Sequence, residues 1–426
     1  MSSAESQIGT GTLGLEDAEP DGSRPVIRGP ILRQLLAVLV GVLVGMVLVD
    51  QLVVWWDIDQ EGDDENRPIM QHEHIGWVNR PHFVNPEFET ELDRFGLRNP
   101  EIPEDCPPDE VRLVGFGASR TFGAGGAMQS WCWNYALEEL LAGRGFRVLN
   151  GGVSGYSLLQ SCRRAEAYLD PLEPDLVFVV ASPGAQLMLD SSLARRWVRA
   201  GDDSDEMIPA DVVEGWPEAL VPLVIDAHRY LNSVSGIYRR HRAKFQTGGN
   251  RVASVQRWMV SRDEPSEVAA QMLSATLDEA QALGAACAER GIELRILVLP
   301  EIWQDSAVTW RSFLRRNQQA GAPPVDTPRR EPTTVLEELL QERGLATWNF
   351  FDEVDRMGRD RERFVMGDNH HWSKAGHEVI ARGIVERLRE EGLLQSLRER
   401  RAAAPRTRPF GENPFPDTGA DGSRTP

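Results

Sequence analysis

Cysteine is scarce in this sequence, and its few copies are not arranged for metal or redox chemistry. The chain of 426 residues has four cysteines, Cys106, Cys132, Cys162 and Cys287, and none of them forms a CxxC pair. Zinc knuckles and thioredoxin-like redox motifs are therefore excluded. An even number permits two disulfides in an oxidising compartment, with three connectivities, and four buried free thiols are about equally compatible with the sequence.

Positive charge is also in short supply. Lys and Arg total 46 against 65 Asp and Glu, the formal net charge is -19, and no basic patch interrupts the acidic excess. A chain this acidic repels phosphate backbones, so we expect no nucleic-acid partner. With 41% hydrophobic and 26% charged residues, the composition is that of a globular protein and excludes a polytopic membrane protein.

One apolar run is long enough to cross a membrane. It extends from Leu35 to Trp56 and is interrupted by Asp50 and Gln51 near one end, and a hydrocarbon core needs roughly 20 residues. Arginines precede the run and acidic residues follow it, so the positive-inside rule places the N-terminus in the cytoplasm and the rest of the chain outside. Because the leader is long and no small-x-small site follows, the run predicts an uncleaved anchor rather than a signal peptide.

Composition divides the remainder of the chain. A polar stretch at 1–34 predicts a disordered cytoplasmic tail, and an acidic linker is predicted at 57–69. A stretch rich in Pro, Gly and Arg at 398–426 predicts a second disordered tail. Within the anchor, Gly41 and Gly45 form a GxxxG motif, which is compatible with a homodimer although the motif is common by chance. The body of the protein therefore spans 70–397.

Short apolar runs alternate with helical patterns in this body. The runs predict five buried strands, at Val111–Phe116, Phe146–Leu149, Asp175–Ser182, Leu294–Pro300 and Ala346–Asp352. Helical spacing predicts helices at 130–144, 158–169, 267–290 and 375–393, the last with Ser373 as its N-cap. This alternation predicts an α/β domain with a parallel sheet. Two stretches are too long to be simple connections, and we expect insertions near 187–265 and 303–332, the second as a lid or mobile loop.

A glycine-rich turn places a serine directly after the first strand of this body. The turn reads Gly117-Ala-Ser119-Arg-Thr-Phe-Gly123, and parallel sheets present ligands at the carboxyl ends of their strands. A hydroxyl at that edge has backbone N–H groups nearby that could hold an oxyanion, as a nucleophilic serine requires. Taken alone, such a serine is more often an ordinary turn former.

Two further segments lie next to predicted elements of the body and could contribute to the same site. The turn Asn150–Gly155 follows the second strand, and its glycines would let the backbone approach another group closely. The segment Asp368–His371 lies before the last helix. An Asp and a His three residues apart can meet across a turn, so that Asp368 orients the imidazole of His371 and leaves its other nitrogen to activate a serine.

A metal site is the rival interpretation of the histidine-rich segment. Asp368, His370, His371 and His377 lie close in sequence. However, no HExxH or comparable ligand spacing occurs among them. We therefore expect no metal.

In this order, the blocks closely resemble the SGNH (GDSL-like) hydrolase family over roughly residues 70–395. The resemblance implies a flavodoxin-like three-layer sandwich with a five-stranded parallel sheet, preceded in this chain by one transmembrane helix. It implies that Ser119 is the nucleophile and that Asp368 and His371 complete a triad. The backbone amides of Ser119 and Gly155 would then form the oxyanion hole, and no cofactor is implied.

The third block departs from the family pattern. The family usually has an Asn oxyanion donor there, whereas this chain reads Ser182-Pro-Gly-Ala-Gln186. We expect Gln186 rather than Ala185 to face the oxyanion, because an amide side chain can donate as Asn does. Loss of one donor typically costs about 10²–10³ in rate. A slow hydrolase, an acyltransferase with other donors and an inactive relative all remain open.

The stretch before the first block resembles membrane-anchored bacterial members of the family. It runs from Gly76–Pro81 through Phe95–Arg98, and some relatives of that type modify exported polysaccharides. We therefore expect a single-pass protein of the bacterial inner membrane with its catalytic domain facing the periplasm or cell exterior. Its substrates would be small acyl esters, including acylated carbohydrate. The alternative is a weak or inactive carbohydrate-binding or scaffolding protein of the envelope.

Overall fold

A computed structural model describes most of the predicted body of the chain. The described residues are 45, 68–72, 75–103, 107–125, 127–184, 187, 197–199, 207–209, 217, 220–234, 259–260, 267–319, 328–358, 360, 364–366, 371–406 and 410–415. Within these ranges, no helix combines the length and the apolar character that a membrane span requires. Except for Gly45, the predicted anchor at 35–56 lies outside the described residues, as do the tail at 1–34 and nearly all of the linker at 57–69.

The strands are numbered in chain order. They are β1 (Ile69–His72), β2 (Gly76–Asn79), β3 (Val84–Asn85), β4 (Thr90–Glu91), β5 (Val111–Phe116), β6 (Phe146–Asn150), β7 (Leu176–Ala181), β8 (Trp197–Arg199), β9 (Met207–Pro209), β10 (Glu293–Val298) and β11 (Thr347–Asn349).

The α-helices follow the same convention. They are α1 (Ser119–Phe122), α2 (Trp133–Leu140), α3 (Leu158–Leu172), α4 (Val221–Val234), α5 (Glu267–Glu289), α6 (Ala307–Gln319), α7 (Glu331–Glu342), α8 (Phe351–Gly358), α9 (Lys374–Glu390) and α10 (Leu393–Ala403). The predicted N-cap of α9 is confirmed, because the side chain of Ser373 accepts the N–H of Gly376.

Five parallel strands form the central sheet in the order β11-β10-β7-β5-β6. Counted along the chain within this sheet, that order is the flavodoxin-like 2-1-3-4-5. Every residue of β5 and β7 is buried, which explains why both strands read as continuous apolar runs instead of alternating patterns. The five strands predicted from the sequence are those of the sheet.

Side chains of the sheet alternate between two cores. Val177 and Val179 of β7 pack with α3, α5 and α7 on one face. Leu176 and Phe178 of the same strand pack with α2 and α9 on the other. Because neighbouring residues of a strand point to opposite faces, one apolar strand supplies both layers. The three-layer sandwich expected from the family resemblance is confirmed.

The two predicted insertions contain regular secondary structure. The first includes the antiparallel pair β8–β9 and helix α4. The second begins with a 3-10 turn, Ile302–Gln304, and continues as α6. The rings of Trp303 and Phe313 stack there with centroids 4.2 Å apart, and Val260 of the first insertion packs in the same cluster. The described first half of the second insertion is therefore a packed helix rather than a loop.

The C-terminal tail differs from its prediction. The sequence predicts disorder over 398–426, whereas α10 continues to Ala403 and the side chain of Arg406 forms an ion pair with Asp175 at 2.8 Å. Phe410 and Phe415 are buried against the domain. The prediction is wrong for the described residues up to Phe415. Its failure has a physical reason, since single anchors at irregular spacing leave no periodic apolar face to recognise.

The three cysteines that the structure describes form no disulfide. Cys132, Cys162 and Cys287 are buried thiols. Two disulfides would need all four cysteines, so that alternative is excluded, while Cys106 lies outside the described residues.

Candidate active site

Ser119 lies at the carboxyl edge of the central sheet. β5 ends at Phe116, and Ser119 begins α1 two residues beyond Gly117. A Cβ at Gly117 would collide with the side chain of Thr121 and lie 3.0 Å from that of Val180, so glycine is required at this turn. The carbonyl of Ser119 accepts the N–H of Gly123 at 2.8 Å. Ser119 itself is half-buried, so the turn leaves part of the residue accessible.

The second block packs directly on this turn. The N–H of Val153 donates to the carbonyl of Gly117 at 2.9 Å. A Cβ at Gly152 would lie 2.8 Å from the Cα of Phe122 in α1, so only glycine permits this approach. Gly155 is exposed, and its N–H forms no hydrogen bond with any described residue. The structure thus brings the first two blocks together and leaves an amide available beside them.

The stretch before the first block forms a wall beside Gly155. Trp77 of β2 donates from Nε1 to the carbonyl of Ser154 at 3.2 Å. A Cβ at Gly155 would lie 3.3 Å from the Trp77 ring. The side chain of Asn79 donates to the carbonyl of Gly152 at 3.0 Å. The family resemblance singled out this stretch, but it did not predict these contacts.

Arg98 fixes the chain on the far side of α1. The residue is only 2% exposed. It donates to the carbonyls of Phe122 at 2.8 Å, Gly123 at 2.7 Å and Ala127 at 2.8 Å. Burial lowers the pKa of Arg98 from its usual range. The turn that carries Ser119 is therefore held in place by a buried cation, whose hydrogen bonds go mainly to backbone oxygens.

The segment carrying His371 reaches the same edge. The carbonyl of His371 accepts the N–H of Met366 at 2.8 Å, and His371 is half-buried. The guanidinium carbon of Arg120 lies 5.5 Å from the ring centroid of Trp372. Arg120 directly follows Ser119, and Trp372 directly follows His371, so this contact brings the two predicted catalytic segments together. Asp368 lies outside the described residues, and its contact with His371 remains a prediction.

His377 has a structural role instead of a catalytic one. It is buried, its Nδ1 accepts the N–H of Trp133 at 3.3 Å, and its ring packs edge-on against Trp372 with centroids 5.7 Å apart. Burial lowers the pKa of His377 to about 3, with smaller electrostatic effects from Arg98 and His371. A neutral, hydrogen-bonded histidine supports Trp372, and it is not placed to act as the base.

The third block is held by a carboxylate. The hydroxyl of Ser182 donates to Oε1 of Glu301 at 2.8 Å and is not available to an oxyanion. Ala185 and Gln186 lie outside the described residues, so the predicted role of Gln186 remains a prediction. Within the described ranges, no three His, Cys, Asp or Glu side chains converge as metal ligands would. Two of the residues considered for a metal site, Asp368 and His370, are outside those ranges.

Two residues beside the site were missed by the sequence analysis. Arg120 forms an ion pair with Glu301 at 3.3 Å, and both side chains are largely buried. Glu301 directly follows the predicted strand Leu294–Pro300, so its position at the carboxyl edge could have been derived. Arg120 lies within the glycine-rich serine motif, directly after the predicted nucleophile Ser119.

Comparisons with known proteins give structural similarities alone. No protein-family model matches the chain, and no curated protein matches it significantly. Esterase EstA from Pseudoalteromonas sp. is 12% identical, with 66% of this chain and 98% of that chain covered and a TM-score of 0.34. The acetyl xylan esterase AlAXEase is 10% identical, with 65% and 100% covered and a TM-score of 0.35. A two-domain esterase active on acetylated mannans is 12% identical, with 72% and 53% covered and a TM-score of 0.34.

These three solved structures are esterases. At this level of identity and TM-score, structural similarity alone does not establish an activity. The assignment of a function depends on the residues of this chain itself.

Proposed function

We propose that this protein is an SGNH-type serine esterase or O-acyltransferase that acts on small acyl esters, including acylated carbohydrate. The observation that carries the proposal is the contact between Arg120 and Trp372, which brings the segments of Ser119 and His371 together at the carboxyl edge of the sheet. Ser119 is partly accessible there, and the block that ends at Gly155 packs on the same turn. These are the parts that acyl transfer through a serine requires.

The proposed mechanism follows from these positions. His371, oriented by Asp368, removes the proton of Ser119 as its oxygen attacks the ester carbonyl. The N–H groups of Ser119 and Gly155, with the side chain of Gln186, stabilise the oxyanion. The alcohol then leaves with the proton held by His371, and an acyl-serine remains. Water or a sugar hydroxyl attacks the acyl carbonyl while His371 takes its proton, and the histidine returns that proton to the oxygen of Ser119 as the bond to the acyl group breaks.

Turnover of p-nitrophenyl acetate by the full-length chain in detergent tests this proposal. We expect Ser119→Ala and His371→Ala each to lower kcat about 10⁶-fold, as loss of the serine or the histidine of a triad does elsewhere. Ser130→Ala is the matched control, because that half-buried serine bonds only to Glu89, at 2.9 Å, among the described side chains. Full activity of Ser119→Ala would refute the assignment of the nucleophile.

The carbohydrate part of the proposal has a separate test. It is supported by the resemblance of the stretch that supplies Trp77 and Arg98 to relatives that modify polysaccharides. Incubation with an acetylated polysaccharide should release acetate, or should move acetyl groups to an added sugar acceptor. Hydrolysis of p-nitrophenyl acetate with neither outcome would restrict the activity to small esters. In the same assay, Gln186→Ala should lower kcat more than it raises KM.

The proposed location is the bacterial inner membrane, with residues 35–56 as the anchor and the domain facing the periplasm or cell exterior. The charge asymmetry around that run supports it. A reporter fused after residue 397 should be active outside the cytoplasm, and the full chain should remain in the membrane fraction. A soluble form that begins near residue 57 would show that the run is a cleaved signal.

A non-catalytic envelope protein that binds carbohydrate is the second candidate. One observation favours it, because the hydroxyl of Ser182 is bonded to Glu301 and the family's Asn donor is absent from this block. Binding of acetylated polysaccharide with no turnover by the wild-type chain would select this candidate.

A further inference from the structure

Arg120 connects three segments that the proposed chemistry needs in register. Its side chain is 8% exposed. One nitrogen donates to the carbonyl of Pro300 at 2.8 Å, and the other donates to Oε2 of Glu301 at 3.3 Å. The guanidinium also lies over the ring of Trp372. The residue after Ser119 is thus attached both to the end of β10 and to the segment of His371.

Glu301 extends this connection to the third block. Its Oε1 accepts the hydroxyl of Ser182, while Oε2 pairs with Arg120. A Cβ at Gly184 would overlap the carboxyl group of Glu301, so the third block lies directly against this side chain. The segment where the family has its Asn donor is therefore attached to the turn of Ser119 through one buried ion pair.

The chemistry of the two groups suits a positioning role. A guanidinium is a planar fork that can bind two acceptors and stack on an aromatic ring at once, which a lysine ammonium cannot do. A carboxylate has two oxygens, and here each has a different partner. Removal of either member leaves the other charge buried without compensation. The pair therefore fixes the relative positions of its neighbours more strictly than apolar packing would.

We propose that Arg120 and Glu301 are positioning residues that hold Ser119, His371 and the third block in register for acyl transfer. This inference rests on the proposed function. Neither side chain is assigned a contact with substrate, so the pair acts through the segments it joins. A misplacement of about 1 Å at a reacting group can cost about 10²-fold in rate.

Arg112, on the strand β5 that precedes the turn of Ser119, provides a matched control. It is 2% exposed, donates to the carbonyl of Leu172 at 2.9 Å and to Glu110 at 3.4 Å, and lies 3.6 Å from the ring centroid of Phe410. It therefore has the same three kinds of partner as Arg120. However, it lies at the amino end of β5, away from Ser119. Any general effect of replacing a buried arginine should appear in Arg112→Lys as well.

The experiment measures kcat, KM and thermal stability of the full-length chain with p-nitrophenyl acetate. We expect Arg120→Lys and Glu301→Gln to lower kcat about 10–100-fold with KM within about twofold. Arg112→Lys should lower the melting temperature and leave kcat unchanged. Ser182→Ala, which removes one hydroxyl only, should lower kcat by a smaller factor.

Distinct outcomes separate the two proposals. If the wild-type chain turns over the ester while Arg120→Lys and Glu301→Gln keep kcat within twofold, the positioning role is refuted and the proposed function stands. If Arg120→Lys does not fold, full kcat in both Glu301→Gln and Ser182→Ala refutes it equally. Absence of turnover in the wild-type chain would instead overturn the proposed function and this inference with it.

Discussion

Truncation of the C-terminus should destabilise the domain strongly, although the sequence predicts a disordered tail there. A chain that ends after Arg406 loses Phe410 and Phe415, which are 7% and 5% exposed. It also loses Asn413, whose side chain donates to the carbonyl of Arg94 at 2.8 Å. A chain that ends after Phe415 keeps all of these contacts and is the matched control.

The magnitude follows from the contacts that are removed. Loss of a buried phenylalanine costs about 3 kcal/mol, at the lower end of its range because a chain end leaves no enclosed cavity. Loss of a hydrogen bond costs about 1 kcal/mol. For Phe410, Phe415 and Asn413 together, we expect the free energy of unfolding to fall by roughly 6–8 kcal/mol. Domains of this kind have about 5–15 kcal/mol in total, so the shorter chain should be largely unfolded or close to it.

Urea titration followed by tryptophan fluorescence measures this difference between the two truncated chains. The chain ending after Phe415 should unfold at nearly the midpoint of the full-length protein. The chain ending after Arg406 should show a much lower midpoint or no folded baseline. Equal midpoints for the two truncations would refute the reasoning, since the tail would then contribute nothing to stability.

Two further predictions concern the second block and a buried carboxyl group. Gly152→Ala should force the second block away from the backbone of Phe122. We therefore expect a loss of about 1–3 kcal/mol in stability and at least a tenfold loss of kcat. An unchanged kcat would show that the close contact between Gly152 and Phe122 is not needed for turnover. Burial raises the pKa of Asp93 from 3.8 to about 7. Because the native state then keeps a proton that the unfolded state has lost, stability should fall as the pH rises from about 4 to 7. Urea midpoints at pH 5 and 7.5 should show that Asp93→Asn removes this slope, and an unchanged slope would contradict the assignment.

The central sheet could be predicted because its strands are continuous apolar runs. β5 and β7 are buried on both faces, so each strand can be recognised from its own apolar residues, whichever strands it pairs with. The helices show helical spacing of their apolar residues, and Ser373 caps α9 as its sequence indicates. The prediction of an α/β domain with a parallel sheet therefore depended on local signals alone, whereas the flavodoxin-like topology was implied by the family resemblance.

Contacts between distant parts of the chain could not be predicted in this way. The hydrogen bond from Trp77 to Ser154 joins residues 77 positions apart, and the ion pair from Arg120 to Glu301 joins residues 181 positions apart. Neither contact leaves a periodic pattern in the sequence. The tail anchored by Phe415 escaped prediction for the same reason. For the site, the motifs indicated Ser119 and His371, whereas the side chains that hold them became visible only in the fold.

The identity of the nucleophile is the central claim, and mass spectrometry of the phosphonylated protein tests it most directly. The full-length chain would be treated with a fluorophosphonate and digested, and the modified residue would be located by peptide sequencing. We predict a single adduct on Ser119, which forms much more slowly in His371→Ala because that histidine activates the hydroxyl. An unmodified Ser119 in the wild-type chain, or an adduct on another serine, would contradict the account.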